Sequence, residues 1–262
     1  MYSIKKGGFI MIKKVFVLFL TFTIISPFLL SIFLVKAYAE VVPPNLHKKN
    51  ELSQEALYNI GGAYSEGGYI NAEDKTTEKQ LIDNDLIFDD IKIPQWKTEA
   101  LKTEFLSKKE AYKYKGKKVD IFGAYYIFGC IGEARKKSAC VYGGVTLHEG
   151  NHLTTKKNIG VNVFKNGGLI ENFTINTDKK VISLQELDLK SRSMVNKKYK
   201  IYDPNDKKIS SGYIQFHSDK ENSFYDLFNF KGTKRVEFLQ FYKDNEHVDT
   251  NNLHIDIYLY TE

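Results

Sequence analysis

The clearest pattern in the chain is a strict alternation of polar and apolar side chains over Leu253–Glu262. A period of two residues is typical of a strand with one buried face. The apolar positions of this stretch are therefore expected to face a core. The polar and aromatic positions are expected to lie together on an open surface. They are His254, Asp256, Tyr258 and Tyr260.

A second alternating run, Gly212–His217, ends in a histidine and is predicted to form a neighbouring strand. Together with His254 and Asp256, His217 would supply two imidazoles and one carboxylate, which are ligands that Zn²⁺ accepts. Three protein ligands are one fewer than a closed structural site needs, so one position would stay open. A His-x-Asp pair on a strand is also an ordinary surface hydrogen-bonded pair, and the spacing alone does not separate the two interpretations.

Two helices have recognisable starts. Asn50 is predicted to cap a short helix that buries Ala56 and Ile60 and ends at Gly61-Gly62. Ser183 and Glu186 form a capping box that opens a longer helix. Asp188 and Arg192 on this helix are spaced to pair one turn apart, and we expect the pair on its outer face.

The remaining apolar runs are short, which favours strands. Residues 63–80 are polar and predicted to form turns, whereas the runs between residues 81 and 126 surround one brief helix and suit a small Greek-key barrel. After the Ser183 helix, a mixed sheet of the grasp type is predicted, so that the fold class is α+β. Its expected strands are Tyr199–Tyr202, Gly212–His217, Phe224–Phe228, Arg235–Tyr242 and the terminal alternating stretch.

The N-terminal residues 1–39 resemble a secretion signal. Lys13 and Lys14 precede a long apolar stretch, and Ala37-Tyr38-Ala39 is a small-x-small cleavage pattern, so the mature chain is predicted to begin at Glu40 and to be secreted. The apolar stretch is also long enough to serve as an uncleaved membrane anchor. Translation from Met11 instead of Met1 is a further hypothesis, because residues 1–10 are unusual for a signal peptide.

The charge balance argues against nucleic-acid binding, and the cysteine content predicts a disulfide. The chain has 38 basic and 32 acidic residues, and removing residues 1–39 takes away five lysines and no acid, which leaves 33 basic residues against 32 acidic ones. A nearly neutral mature protein has no electrostatic footprint for nucleic acid. In an exported chain, the two cysteines, Cys130 and Cys140, are predicted to form one disulfide.

The stretch His148-Glu149-Gly150-Asn151-His152 matches the zinc-protease motif His-Glu-x-x-His. That chemistry needs both histidines on one face of a helix, and Gly150 with Asn151 opposes a helix there. We therefore expect a polar turn. A secreted zinc metalloprotease using His148, Glu149 and His152 is kept as the alternative function.

Several motifs resemble the staphylococcal and streptococcal pyrogenic toxins, the enterotoxin superantigens. One signature is Tyr142-Gly143-Gly144-Val145-Thr146 followed by Asn151. Tyr225-Asp226-Leu227-Phe228 and the Cys130–Cys140 loop also match. A second signature has Val195 where a leucine is usual, and its matching residues are Lys179, Ile182, Leu187, Asp188, Arg192, Ile201 and Tyr202.

The resemblance implies a non-enzymatic secreted toxin with an N-terminal OB-type β-barrel and a C-terminal β-grasp domain. The implied divisions are residues 1–39 for the signal peptide, 40–66 for a helix packing on the C-terminal domain, 67–155 for the barrel and 156–262 for the grasp domain. Such toxins bridge MHC class II to the β-chain variable region of the T-cell receptor. The branch resembling enterotoxin A uses zinc, and its ligands correspond here to His217, His254 and Asp256.

Other positions follow from the same resemblance. Asn59 resembles an asparagine used toward the T-cell receptor, although it also suits the end of an ordinary helix. Many relatives contact the MHC α-chain through an exposed phenylalanine-rich loop, for which Asp85–Trp96 is short and acidic, so this second contact is not expected. The open zinc position also allows a zinc-linked homodimer. An immune-evasion protein with the same fold is a further alternative, which the three metal ligands disfavour.

Overall fold

A computed structural model describes residues 45–93, 96–97, 100–127, 130, 138–219 and 222–262. The predicted signal peptide, the expected start at Glu40 and the hypothesis about Met11 lie outside these residues, as does most of the disulfide loop. In the described part of the chain, no helix is long and apolar enough to cross a membrane.

The first part of the described chain contains one N-terminal helix and a small barrel. A single 3-10 turn, Lys49–Glu51, precedes the first helix. The helices are α1 (Gln54–Ala63) and α2 (Lys108–Tyr114). The strands are β1 (Tyr69–Lys75), β2 (Asp85–Asp89), β3 (Lys92–Ile93), β4 (Trp96–Lys97), β5 (Ala100–Glu104), β6 (Val119–Ala124), β7 (Ser138–Tyr142) and β8 (Val145–Leu147).

The second part carries the longest helix and the largest sheet. The helices are α3 (Leu184–Tyr199) and α4 (Arg235–Phe238), and a 3-10 turn, Leu239–Asp244, continues α4. The strands are β9 (His152–Lys165), β10 (Gly168–Lys179), β11 (Val181–Ser183), β12 (Ser211–His217), β13 (Asn222–Asp226), β14 (His247–Asp249) and β15 (His254–Tyr260).

Two three-stranded sheets form the barrel. Strands β1, β6 and β8 make one sheet, and β2, β5 and β7 make the other. Their inward side chains share one apolar core, in which Leu86, Phe105, Val119 and Ile121 are fully buried. Short apolar strands therefore pack around one core, in agreement with the predicted barrel. The turn prediction for residues 63–80 is wrong in part, because Tyr69–Lys75 pairs with β6.

The larger sheet has the order β10-β9-β15-β12-β13. Strand β15 lies in its centre, antiparallel to β12 and parallel to β9. Ile255, Ile257 and Leu259 are buried in the second core, as their alternation predicts. On the opposite face, however, Asp256 and Tyr258 are only 5% and 6% exposed, so that surface is less open than expected.

The local signals at helix ends explain both the correct and the incorrect predictions. Ser183 caps α3, its hydroxyl accepting a hydrogen bond from the Glu186 amide. Helix α1 is capped by Ser53 instead of Asn50, and it continues through Gly61-Gly62 to Ala63. These two glycines lie close to Tyr202 and Arg235, which leaves little space for a side chain. The predicted strand Tyr199–Tyr202 is the end of α3 and a turn, and the predicted strand Arg235–Tyr242 is helical.

The expected outer position of the Asp188–Arg192 pair is wrong. Both side chains are fully buried, and the guanidinium Nε and Nη2 donate to the two carboxylate oxygens at 2.7 Å each. Tyr64, which follows α1, and Tyr242 both donate hydroxyl hydrogen bonds to Asp188 Oδ2, at 3.4 and 2.5 Å. The ion pair therefore joins α1 and the 3-10 turn to α3 inside the core.

Candidate metal centre

The strand register brings the three predicted ligands together. Strands β12 and β15 pair so that His217 lies opposite His254, and Gln215 lies opposite Asp256. All of these side chains point to the same face, because residues two apart on a strand share a face. The sequence patterns identified the two strands, and their pairing supplies the juxtaposition.

The three side chains form a tight group. The imidazole rings of His217 and His254 stack with centroids 4.4 Å apart and an interplanar angle of 5°. His217 Nε2 lies 3.1 Å from Asp256 Oδ2. One ligand atom from each residue lies within 4.8 Å of the others. This spacing and the donor set of two nitrogens and one oxygen fit a single Zn²⁺ ion.

The electrostatics of the group favour metal binding. Burial, reinforced by the neighbouring His217, lowers the pKa of His254 and keeps its imidazole neutral, the form that binds metal. Burial alone would raise the pKa of Asp256, but hydrogen bonds from His217 and Asn162 outweigh it and lower that pKa. The carboxylate therefore stays ionised. The histidine side chains are partly accessible, so a ligand from solution can approach this side of the group.

A second group that could hold a metal lies around the His148-to-His152 stretch. His148 Nδ1 is 2.7 Å from Asp120 Oδ1, and His152 Nε2 is 2.9 Å from Asp120 Oδ2. The ligand atoms of the three residues lie within 4.8 Å of one another. Asp120 was missed by the sequence analysis, since it lies on β6, far from both histidines in the chain.

The zinc-protease geometry is not formed by these residues. Residues 149–151 form a turn, and His152 begins β9, so the two histidines do not share a helix face. Glu149, the residue that would act as general base, is exposed in the turn. The predicted polar turn is thus observed, and it presents two histidines to a buried aspartate.

The other predicted site residues lie away from this group of metal ligands, and the two cysteines among them are buried. Asn59 lies on α1, and its side-chain amide donates to the Thr233 carbonyl at 3.0 Å. Cys130 and Cys140 are joined in a disulfide. In the stretch Asp85–Trp96, Phe88 is buried in β2, and the exposed apolar residues Leu81 and Ile82 lie just before it.

Comparison with known proteins gives matches along most of the chain. Residues 59–147 match the model of the staphylococcal/streptococcal toxin OB-fold domain, and residues 159–259 match that of the staphylococcal/streptococcal toxin β-grasp domain. The predicted OB-type barrel and β-grasp domain are thereby confirmed. Enterotoxin type A from Staphylococcus aureus (strain Newman) is 38% identical over 227 residues, which cover 85% of this chain and 88% of that toxin.

Solved structures agree with these matches. Staphylococcal enterotoxin type A co-crystallised with zinc has a TM-score of 0.78 and 38% identity, covering 83% of this chain and 100% of that chain. A T-cell receptor β-chain complex with the superantigen SpeA, soaked with zinc, gives a TM-score of 0.76 and 36% identity, covering 85% of this chain and 100% of that chain.

Proposed function

Since this chain belongs to the staphylococcal and streptococcal toxin family of superantigens, we propose that it binds MHC class II through zinc and cross-links it to the T-cell receptor, thereby activating T cells. The zinc is held by His217, His254 and Asp256. The observation that carries this proposal is the convergence of their ligand atoms within 4.8 Å on two paired strands.

The number of ligands explains how a partner would be bound. Zinc in proteins prefers four ligands in a tetrahedron, and a site with three protein ligands keeps its fourth position for water or another group. An imidazole from the MHC β-chain would replace that water and complete the tetrahedron. The affinity of the complex then depends on the metal, and it falls when the histidines are protonated. A histidine from a second copy of this chain would give a zinc-linked homodimer by the same route.

Titration with soluble MHC class II tests this proposal. The parent protein with zinc should bind, whereas His254→Ala, Asp256→Ala and parent protein in excess chelator should bind at least about tenfold more weakly, which is 1.4 kcal/mol. His148→Ala is the matched control, because it removes a histidine from the other group and leaves this one intact. Undiminished binding of both ligand variants, or loss only with His148→Ala, would refute the proposed zinc centre.

The contact with the T-cell receptor is proposed for the side of α1 that carries Tyr58 and Asn59. Tyr58 is 78% exposed and borders a groove of about 670 Å³ that is also lined by Asn196, Tyr202 and Arg235. The T-cell receptor β-chain complex of SpeA supports a receptor contact for this family. Proliferation of T cells sorted by β-chain variable family should fall with Asn59→Ala and Tyr58→Ala while binding to MHC class II is unchanged. Unchanged proliferation with both variants would contradict this contact.

We further propose that the chain is secreted and that it is divided into the following parts. Residues 1–39 are removed as a signal peptide, residues 40–66 contribute the helix α1, and residues 67–155 and 156–262 form the two domains. Strand β9 crosses the border between these domains without interruption. N-terminal sequencing of the exported protein should begin at Glu40; a start upstream of this residue would contradict the cleavage site.

We also propose that the chain is not an enzyme. Because the His148-to-His152 stretch lacks the helix of a zinc protease, casein should remain intact in the presence of zinc. Cleavage that disappears with chelator and with Glu149→Gln would establish the metalloprotease alternative.

A further inference from the structure

The two oxygens of Asp256 have different environments. Strand β9 lies parallel to β15 with Asn162 directly opposite Asp256. The Asn162 side-chain amide donates a hydrogen bond to Asp256 Oδ1 at 2.9 Å. The other oxygen, Oδ2, faces His217 Nε2 at 3.1 Å. Only Oδ2 is therefore directed into the group of metal ligands.

We propose that Asn162 is a positioning residue that holds Asp256 so that it binds zinc through Oδ2 alone. This inference rests on the metal centre of the proposed function and extends it to a residue that does not touch the ion. Its physical basis is that a carboxylate can bind a metal through one oxygen or two. A hydrogen bond that engages Oδ1 selects the one-oxygen mode.

Burial makes this hydrogen bond important. Asp256 is only 5% exposed, so water has little access to replace a lost donor at Oδ1. The Tyr258 hydroxyl donates to Oδ2 at 3.4 Å and not to Oδ1, so it does not substitute for Asn162. Without the amide, the carboxylate can turn and offer both oxygens to the ion.

The coordination number follows from this constraint. Two imidazole nitrogens and one carboxylate oxygen leave the fourth tetrahedral position open for a partner. A second carboxylate oxygen would occupy space at that position and favour five ligands. Asn162 would thus maintain both the affinity for zinc and the open position.

The experiment measures metal binding by the isolated protein. All variants carry His148→Ala and His152→Ala, which remove the second group of candidate ligands. Asn162→Leu keeps a similar volume without the donor, and Asn162→Ala is a smaller second variant. Asn172→Leu is the matched control, because Asn172 lies opposite Asn162 on β10, on the same sheet face, and is exposed.

Two readouts separate positioning from general stability. Zinc affinity, measured by competition with a chromophoric chelator, should fall about 10- to 100-fold in both Asn162 variants, as is typical when a partner of a metal ligand is removed. After loading with Co²⁺, the visible absorption should weaken in these variants, because five-coordinate cobalt absorbs less than tetrahedral cobalt. The Asn172→Leu protein should match the parent in both measurements.

The outcomes distinguish a failure of the role of Asn162 from a failure of the zinc centre itself. If the parent binds zinc and both Asn162 variants keep its affinity and its cobalt spectrum, the inference is wrong while the zinc centre stands. If affinity falls with an unchanged spectrum, Asn162 does not control the coordination and the inference is also wrong. If His217→Ala leaves zinc binding by the same background protein unchanged, both the inference and the proposed zinc centre are wrong.

Discussion

Replacing Asp188 with alanine should destabilise the protein more than any surface change, because it leaves the buried positive charge of Arg192 without its carboxylate partner. Arg192 is fully buried, and its guanidinium donates to both oxygens of Asp188 at 2.7 Å. Its Nη1 atom has one further partner, the Tyr202 hydroxyl at 3.0 Å. Removing one member of such a buried pair costs about 3–5 kcal/mol.

The hydroxyl groups around the pair add to this cost. Tyr242 loses its acceptor at 2.5 Å when Asp188 is removed, which adds about 1 kcal/mol. We therefore expect Asp188→Ala to lower the free energy of unfolding by about 4–6 kcal/mol. For a protein of this size, the midpoint of thermal unfolding should fall by about 10 to 20 °C.

Guanidinium unfolding followed by circular dichroism measures the effect. Glu66→Ala is the control, since it removes an exposed ion pair with Lys197 and should leave the unfolding midpoint unchanged. The double change Asp188→Leu with Arg192→Met should recover much of the loss, because a buried pair can often be replaced by apolar side chains. A loss below about 1.5 kcal/mol for Asp188→Ala would show that Arg192 reaches water, in conflict with this structure.

Three further predictions concern the glycine signature, a partly buried histidine and the disulfide. Gly144 has a φ of +68°, and an added Cβ would lie 2.2 Å from the Phe122 carbonyl oxygen, so Gly144→Ala should cost about 2–4 kcal/mol in urea unfolding. Gly160→Ala, with no atom within 4 Å of the new Cβ, should cost much less, and equal losses would contradict the steric argument. Burial lowers the pKa of His247 in the folded state. The contribution of the neutral His247 to the free energy of unfolding is therefore fully present above the unfolded pKa of about 6.5, and it is lost as the pH falls below that value. Urea unfolding at pH 7 and 5 should show a smaller loss for His247→Gln than for the parent, and an equal loss would exclude His247 as a cause. The disulfide closes a loop with a sequence separation of 10, and changing both cysteines to serine should cost about 2–3 kcal/mol in thermal unfolding. A reductant should then destabilise the parent but not the variant, and equal sensitivity would rule out this bond as the source.

The parts of the fold that the sequence predicts are those with a local signal. Alternation over Leu253–Glu262 and the capping box at Ser183 both give elements that the structure contains. The stretch Arg235–Tyr242 has short apolar runs that suit a strand or a helix. Its helical start depends on Glu237, whose carboxylate accepts hydrogen bonds from the amides of Thr233 and Lys234.

Contacts between residues far apart in the chain could not be predicted from local sequence patterns. The spacing of Asp188 and Arg192 predicts that they meet, but their burial depends on Tyr64, which lies 124 residues from Asp188 in the chain. Likewise, Asp120 joins His148 and His152 only through the pairing of β6 with β8. The trio of His217, His254 and Asp256 was predicted from two alternating runs and supported by the family resemblance, whereas Asn162 beside it was not predicted.

The pairing of β15 with β9 has a consequence for the order of events during folding. Asn162 of β9 and Asp256 of β15 are 94 residues apart in the chain. The metal ligands and Asn162 come together only when β15 lies between β9 and β12. A chain whose strand β15 has not yet paired therefore has no assembled set of ligands for the ion. If zinc binds as proposed, its capture shows that β15 has paired with both β9 and β12.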